Sequence, residues 1–310
     1  MRIFRELICL IIFCSFFFLF ACQPSENKPG DHKALQKARS SESPSDNKKL
    51  KVLTTIAPLY SFTKSITGDA ANVENLLPLG TDPHDFSLSP EDIIKISRAQ
   101  VVIKNDAGLE KWLDKLILDQ SSSPGEEPII VDSSSGVHII DSNPHIWLSP
   151  RNAMMQVTNI SVALIKADPA NSALYKKNTV DYLKRLRDLD RDISAAVGRL
   201  QKKEFVSVHP AFLYFARDYG LKQAAVIREF PEQEPTPAHI ADVINIIKAD
   251  KINFIFTEPR VSHKAVDTIA GDLKLKVYTL DTLETGELYP EWYEEKMRMN
   301  LEILKAALSS

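Results

Sequence analysis

The stretch "PANSALYKKNTVDYLKRLRDLDRDISAAVGRLQK", residues 169–202, decides how the rest of the chain is divided. After its opening proline it contains no Pro, and its single Gly is Gly198. Tyr182, Leu186, Leu189, Ile193, Val197 and Leu200 recur at spacings of three and four, the apolar stripe of an amphipathic helix. A helix of about 33 residues would span about 50 Å, long for a crossover inside one domain. It reads as a rigid strut between two lobes. The competing reading is an ordinary pair of helices broken near Gly198.

Short apolar runs alternate with helical stretches on both sides of the strut. Before it come candidate strands at 51–56, 72–78, 100–104 and 128–132; after it come 205–209, 224–227, 253–258 and 276–280. Strands alternating with helices argue for parallel sheets. Four strands, a strut and four strands predict an α/β protein of two lobes, each with a four-stranded parallel sheet and surrounding helices, joined by one long rigid linking helix.

At the amino terminus, Arg2 and Arg5 precede the apolar run "LICLIIFCSFFFLF", too short and too near the end to be a good spanning helix. The run ends in "LFAC", Leu19–Cys22, which resembles the lipobox of bacterial lipoproteins, where the signal is removed and the cysteine lipidated. An uncleaved membrane anchor is the alternative. Losing residues 1–21 removes two Arg and one Glu and shifts the net charge from −3 to −4. All three cysteines lie at or before Cys22, so the mature chain has no disulfide and no thiolate ligand. Residues 22–50 are polar and lack aromatics, the composition of a disordered tether. The expected organisation is signal peptide 1–21, tether 22–50, amino-terminal lobe 51–168, linking helix 169–202 and carboxy-terminal lobe 203–310. A mildly acidic chain without a long basic run in its folded part argues against a nucleic-acid partner.

Two segments share an odd design. "DPHDFSLSP" (82–90) and "NPHIWLSP" (143–150) each put Pro-His before an aromatic and then Ser-Pro. Ser89-Pro90-Glu91-Asp92 and Ser149-Pro150 are helix starts, with Ser at the N-cap and Pro in the first turn. His84 and His145 therefore sit in loops anchored by a helix just behind them. His209 ends the fifth candidate strand and Asp281 follows the eighth. All four lie beyond the carboxyl ends of strands, where open α/β sheets bind ligands, two from each lobe. Imidazole nitrogens with a carboxylate oxygen suit zinc, with manganese or iron as alternatives. Glu258 also ends a strand; it is a further oxygen donor, a partner orienting a histidine, or a helix cap, the last two preferred. Trp147 and Phe86 wall off the site or belong to the core. His32 falls in the tether, and His138, His239 and His263 read as surface.

Several motifs in order carry a resemblance: "TIAPLYSFTKSITGD", "LLPLGTDPHDFSLSP", "NPHIWLSP", "SVHPAFLYFARDYGL", "FTEPRVSHKAVDTIA" and "YEEKMRMNL". From about Lys51 to Leu308 the chain resembles the metal-binding lipoproteins of bacterial ABC importers for zinc and manganese. The resemblance implies one metal ion per chain between two lobes, on positions that fall at His84, His145, His209 and Asp281. Manganese-preferring members have glutamate where this chain has His209, which favours zinc. Many zinc members carry a long His- and acid-rich loop; here "DQSSSPGEEP" (119–128) holds no histidine. The implied protein is no enzyme. It is a monomer, lipid-anchored through Cys22 in the cell envelope, in the periplasm or on the outer face of a membrane. It captures zinc, or alternatively manganese or iron, and delivers it to an ABC permease with its ATPase. Release is then forced by docking or begins with one lobe loosening. A surface adhesin is a second expectation. A metallohydrolase would need an open coordination position and a base, and no H-E-x-x-H motif is present.

Overall fold

A computed structural model describes residues 49–114, 127–228, 234–259 and 264–309. The expected signal peptide, Cys22, nearly all of the tether, most of the 119–128 loop and His263 lie outside those residues.

Four strands form the first sheet: β1 (Leu50–Thr54), β2 (Ala71–Asn75), β3 (Val101–Lys104) and β4 (Ile129–Asp132), all parallel, in the order β2-β1-β3-β4. The second sheet repeats the plan with β5 (Glu204–Ser207), β6 (Lys222–Val226), β7 (Phe254–Thr257) and β8 (Lys276–Thr279), in the order β6-β5-β7-β8. Each strand falls on an expected run, with small shifts at the ends. The run 72–78 stops as a strand at Asn75, whose side chain accepts from Thr54 Oγ1 at 2.8 Å and donates to the Leu77 carbonyl at 2.9 Å. A side chain that bonds nearby groups offers the chain an alternative to the ladder.

The helices are α1 (Ala57–Thr67), α2 (Pro90–Arg98), α3 (Pro150–Ala167), α4 (Ser172–Gly198), α5 (Leu213–Tyr219), α6 (Pro237–Ala249), α7 (Lys264–Leu273) and α8 (Trp292–Leu308). The linking helix is α4, one helix of 27 residues, shorter than the 169–202 stretch. Pro169–Asn171 forms a separate 3-10 turn before it, and Gly198 is its last residue. Gly198 therefore ends the helix and does not divide a pair. Tyr182, Leu186, Leu189, Ile193 and Val197 are buried as the stripe requires, together with Tyr175 and Thr179.

Successive strand residues face opposite sides of a sheet, so each sheet has two jobs. Val52, Val101 and Ile103 face one large core cluster; Leu53 and Val102 face a smaller one. In the second sheet Phe205, Phe254 and Phe256 face the same large cluster, while Val206 and Ile255 face a cluster of their own. The stripe of α4 fills the middle of the large cluster, against α1 and α3 on one side and α5 and α8 on the other. The two lobes thus share one continuous apolar core. Helix α8 adds a second crossing. Having left β8, it packs on α1, where Ser61 Oγ donates to the Pro290 carbonyl at 2.6 Å, and the Tyr293 hydroxyl donates to the Trp147 carbonyl at 2.7 Å.

Candidate metal centre

Each candidate side chain stands on a loop that is itself tied down. The His84 backbone N–H donates to Asp82 Oδ1 at 2.8 Å, and Trp112 Nε1 donates to the Pro83 carbonyl at 3.4 Å. Behind this loop α2 starts with a complete capping box: Ser89 accepts from the Asp92 N–H, and Asp92 accepts from the Ser89 N–H. The His145 loop is held from both sides. Asn105 Nδ2 donates to the Pro144 carbonyl at 2.9 Å, and Trp147 Nε1 donates to the Thr282 carbonyl at 2.9 Å. Ser149 caps α3 by accepting from the Asn152 N–H, and its own hydroxyl bonds Asp218 of the second lobe. His209 lies two residues past β5 in extended backbone, and Glu258 follows β7 directly.

The imidazoles of His84, His145 and His209 converge. His145 Nε2 lies 3.2 Å from His84 Nε2 and 3.1 Å from His209 Nε2. The acid that joins them is Glu284. Its Oε1 lies 2.9 Å from His145 Nε2, 3.2 Å from His84 Nε2 and 3.7 Å from His209 Nε2. The four donor atoms all lie within 4.8 Å of one another, and among the described residues no other group of His, Cys, Asp or Glu is gathered this way.

Asp281, the acid expected here, is not brought into this group. Its Oδ1 accepts from the Leu283 N–H at 2.9 Å, and its Oδ2 lies 3.9 Å from Lys296 Nζ. Asp281 builds the turn that presents Glu284. Leu283 takes φ +56°, a left-handed conformation that costs a non-glycine residue about 1–2 kcal/mol. The cost is borne because Leu283 is fully buried in the shared core. The segment is further clamped by Asn300, which accepts from the Asp281 N–H and donates to its carbonyl.

Two nitrogens on the far sides of the rings are also engaged. His145 Nδ1 lies 2.9 Å from Asn143 Oδ1, which accepts its proton and leaves the Nε2 lone pair facing the cluster. Asn143 Nδ2 donates to the Pro210 carbonyl at 2.6 Å, so one amide orients a first-lobe histidine and grips the backbone beside His209. His209 Nδ1 lies 2.7 Å from the Glu258 carboxylate, which also accepts the His209 N–H at 3.2 Å. Glu258 thus stands where an orienting partner would. Trp147 is fully buried, its ring centroid 5.2 Å from that of His145, while Phe86 packs edge-on against Trp112.

Burial and charge pull these groups apart. Burial drives the His145 imidazole down to about 4, so it is neutral at pH 7. Burial also opposes a proton on His209, but Glu258 and Glu284 outweigh it and raise that imidazole to about 10. Burial would raise Glu284, yet its bonds to His145, His209 and His84 hold it well below the usual carboxylate range. The result is two carboxylates, Glu258 and Glu284, balanced by imidazoles, an arrangement that a divalent cation can enter by displacing a proton. A tetrahedral ion with bonds of ~2.0–2.1 Å needs donor–donor edges of about 3.3 Å. The donor spacings here bracket that value.

Sequence reasoning missed Glu284 and Asn143. Asn143 carried a signal: it stands two residues before His145, within reach of an Asx-type bond. Glu284 carried none that separates it from Asp281 three residues earlier.

Comparison with known proteins shows the family. Residues 52–307 match the family described as zinc-uptake complex component A, periplasmic. The high-affinity zinc uptake system protein ZnuA of Bacillus subtilis is 33% identical over 283 residues, 84% of this chain and 88% of that protein. The structure is similar to the Zn(II)-bound ZnuA-like domain of Streptococcus pneumoniae AdcA, with a TM-score of 0.73 and 31% identity over 84% of this chain and 100% of that one. It is also similar to the laminin-binding protein Lmb of Streptococcus agalactiae, described as having adhesin and metal-transporting activity, with a TM-score of 0.77 and 28% identity over 84% of this chain and 99% of that one.

Proposed function

The chain belongs to the zinc-uptake complex component A family, and from that premise we propose that it binds one zinc ion per chain on His84, His145, His209 and Glu284 and passes it to an ABC permease. The observation that carries this is the convergence of three Nε2 atoms and one carboxylate oxygen, two donors before the linking helix and two after it. Zinc is the cargo here, not a reagent. Four protein donors complete a tetrahedron and leave no position for a reactive water. Three imidazoles with a single carboxylate favour zinc over manganese, which prefers oxygen-rich sites of higher coordination number.

The supporting residues have separate tasks. Asn143 and Glu258 fix which nitrogen of His145 and His209 faces the ion. Asp281 shapes the turn that aims Glu284. Cys22, at the end of a lipobox-like run, carries a lipid anchor that holds the protein in the cell envelope; no helix among the described residues is long and apolar enough to cross a membrane.

Metal content and competitive titration test the reading on the full chain. One zinc per chain is expected. Glu284→Ala and His209→Ala should each weaken binding by more than about 100-fold, because each removes a donor that must be organised in advance. Asp281→Ala should lose about tenfold or less, through a loosened turn, and His239→Ala should bind as the parent does. A larger loss for Asp281→Ala than for Glu284→Ala would overturn the fourth ligand; absence of tight zinc in the parent would overturn the reading itself.

A further inference from the structure

Beyond Glu284 the cleft widens into a cavity of about 500 Å³, a size that admits a side chain together with its own backbone. Its walls come from both lobes, residues 79–82 on one side and residues from 281 to 299 on the other. One hydrogen bond crosses the rim, from the Gly80 N–H to Thr285 Oγ1 at 2.6 Å. Two independent features describe what would fit. The lining carries five carboxylates, on Asp82, Asp281, Glu284, Glu287 and Glu295, against one ammonium on Lys296. Apolar side chains stand at the rim, with Leu79 63% and Met299 56% exposed.

These features select one chemistry. The excess of carboxylates repels anions and anionic lipid headgroups and attracts cations. The apolar rim needs a partner with carbon surface. A peptide loop bearing Lys or Arg supplies both: a cation for the carboxylates and apolar contact for Leu79 and Met299. We propose that this cavity docks a basic extracytoplasmic loop of the membrane permease, and that the loop's cation, arriving beside Glu284, competes with the bound ion for that carboxylate and so starts its release. The inference rests on the importer reading and adds to it a place, a partner chemistry and a cause of release.

The test uses the full-length lipoprotein in its own cells. A strain carrying Glu287→Lys with Glu295→Lys is compared with the parent and with a deletion strain for zinc accumulation at low external zinc. The purified proteins are compared for zinc affinity and association rate. A second variant, Met299→Glu, alters the rim without reversing existing charges, and intact zinc binding certifies that either variant is folded. The expected result is zinc affinity within about twofold of the parent and uptake reduced by about tenfold or more. Unchanged uptake would overturn the proposal. Uptake falling only in proportion to a slower zinc association would also overturn it, since the cavity would then be an entry path for ions. A deletion strain accumulating zinc as well as the parent would remove the importer reading, and the docking site with it. A photoreactive benzoylphenylalanine in place of Met299 should cross-link to a permease peptide bearing Lys or Arg; a cross-linked permease segment without a basic residue would refute the stated chemistry.

Discussion

At the scale of single residues, the centre is organised by protons as much as by donors. His209 is raised to about 10 by Glu258 and Glu284 against the pull of burial, above the ~6.5 of a free imidazole. In the metal-free protein its proton therefore stabilises the fold fully below about pH 6.5, and that contribution is lost as pH rises towards 10. Zinc affinity runs the opposite way and climbs through the same window, because the ion must displace that proton. Titration calorimetry at pH 7 in buffers of different ionisation heat should find more than one proton released per zinc, from His209 and in part from His84, whose imidazole Glu284 raises against the pull of burial. His145 contributes little to this release, being neutral down to about pH 4. An affinity that falls only below about pH 6 follows from unperturbed imidazoles; the Glu258–His209 contact extends the dependence to higher pH. Replacing Glu258 with Gln should weaken zinc about 10- to 100-fold and flatten the rise between pH 7 and 9. An unchanged pH profile would show that Glu258 does not hold the proton on His209.

At the scale of elements, the caps and the loops they support were legible in advance. Ser-Pro in a helix's first turn is a local signal, and both serines cap as expected. Ser149→Ala should lower stability by about 1 kcal/mol, read as a shifted denaturation midpoint, with a further small loss because its hydroxyl also bonds Asp218. The loop after β8 was not legible, since its shape depends on remote contacts. Gly286 shows why. A Cβ there would lie 2.1 Å from Cζ2 of Trp292, and Trp292 is fixed in the core at the start of α8. Gly286→Ala should cost about 1–3 kcal/mol by overpacking and weaken zinc by displacing Glu284 two residues away. Stability lost with affinity unchanged would mean that the strain is absorbed on the far side of the loop. On the linking helix, Leu189→Ala should cost about 2–5 kcal/mol, because it opens a cavity in the core both lobes share.

At the scale of the whole molecule, the shared core limits how the lobes can move. Helix α4 is buried along one stripe between them, and α8 ties the second lobe to α1. Close-packed interiors switch between discrete arrangements and resist continuous bending. Zinc binding should therefore produce a small change. Spin labels at Ile129→Cys and Val277→Cys, exposed positions on β4 and β8, should change their separation by less than about 5 Å on zinc addition. A shift of ten or more would show that the core parts. With a small motion, release needs a trigger close to the donors, and the acidic cavity beside Glu284 is where such a trigger would act.

The sequence by itself determined two parallel sheets, a linking helix between them, capped helices behind two Pro-His loops, and three histidines at strand ends. These follow from periodicity, from Pro and Ser at helix starts, and from the rule that open α/β sheets bind ligands beyond their carboxyl ends. Only the tertiary structure brings Glu284, and not Asp281, among the three histidines. Asp281 and Glu284 stand three residues apart on one loop, and both are acids beyond the same strand. The choice between them rests on a left-handed Leu283, on Asn300 of α8 and on the Trp147 indole of the other lobe. Those contacts join residues far apart in the chain, and no local pattern encodes them.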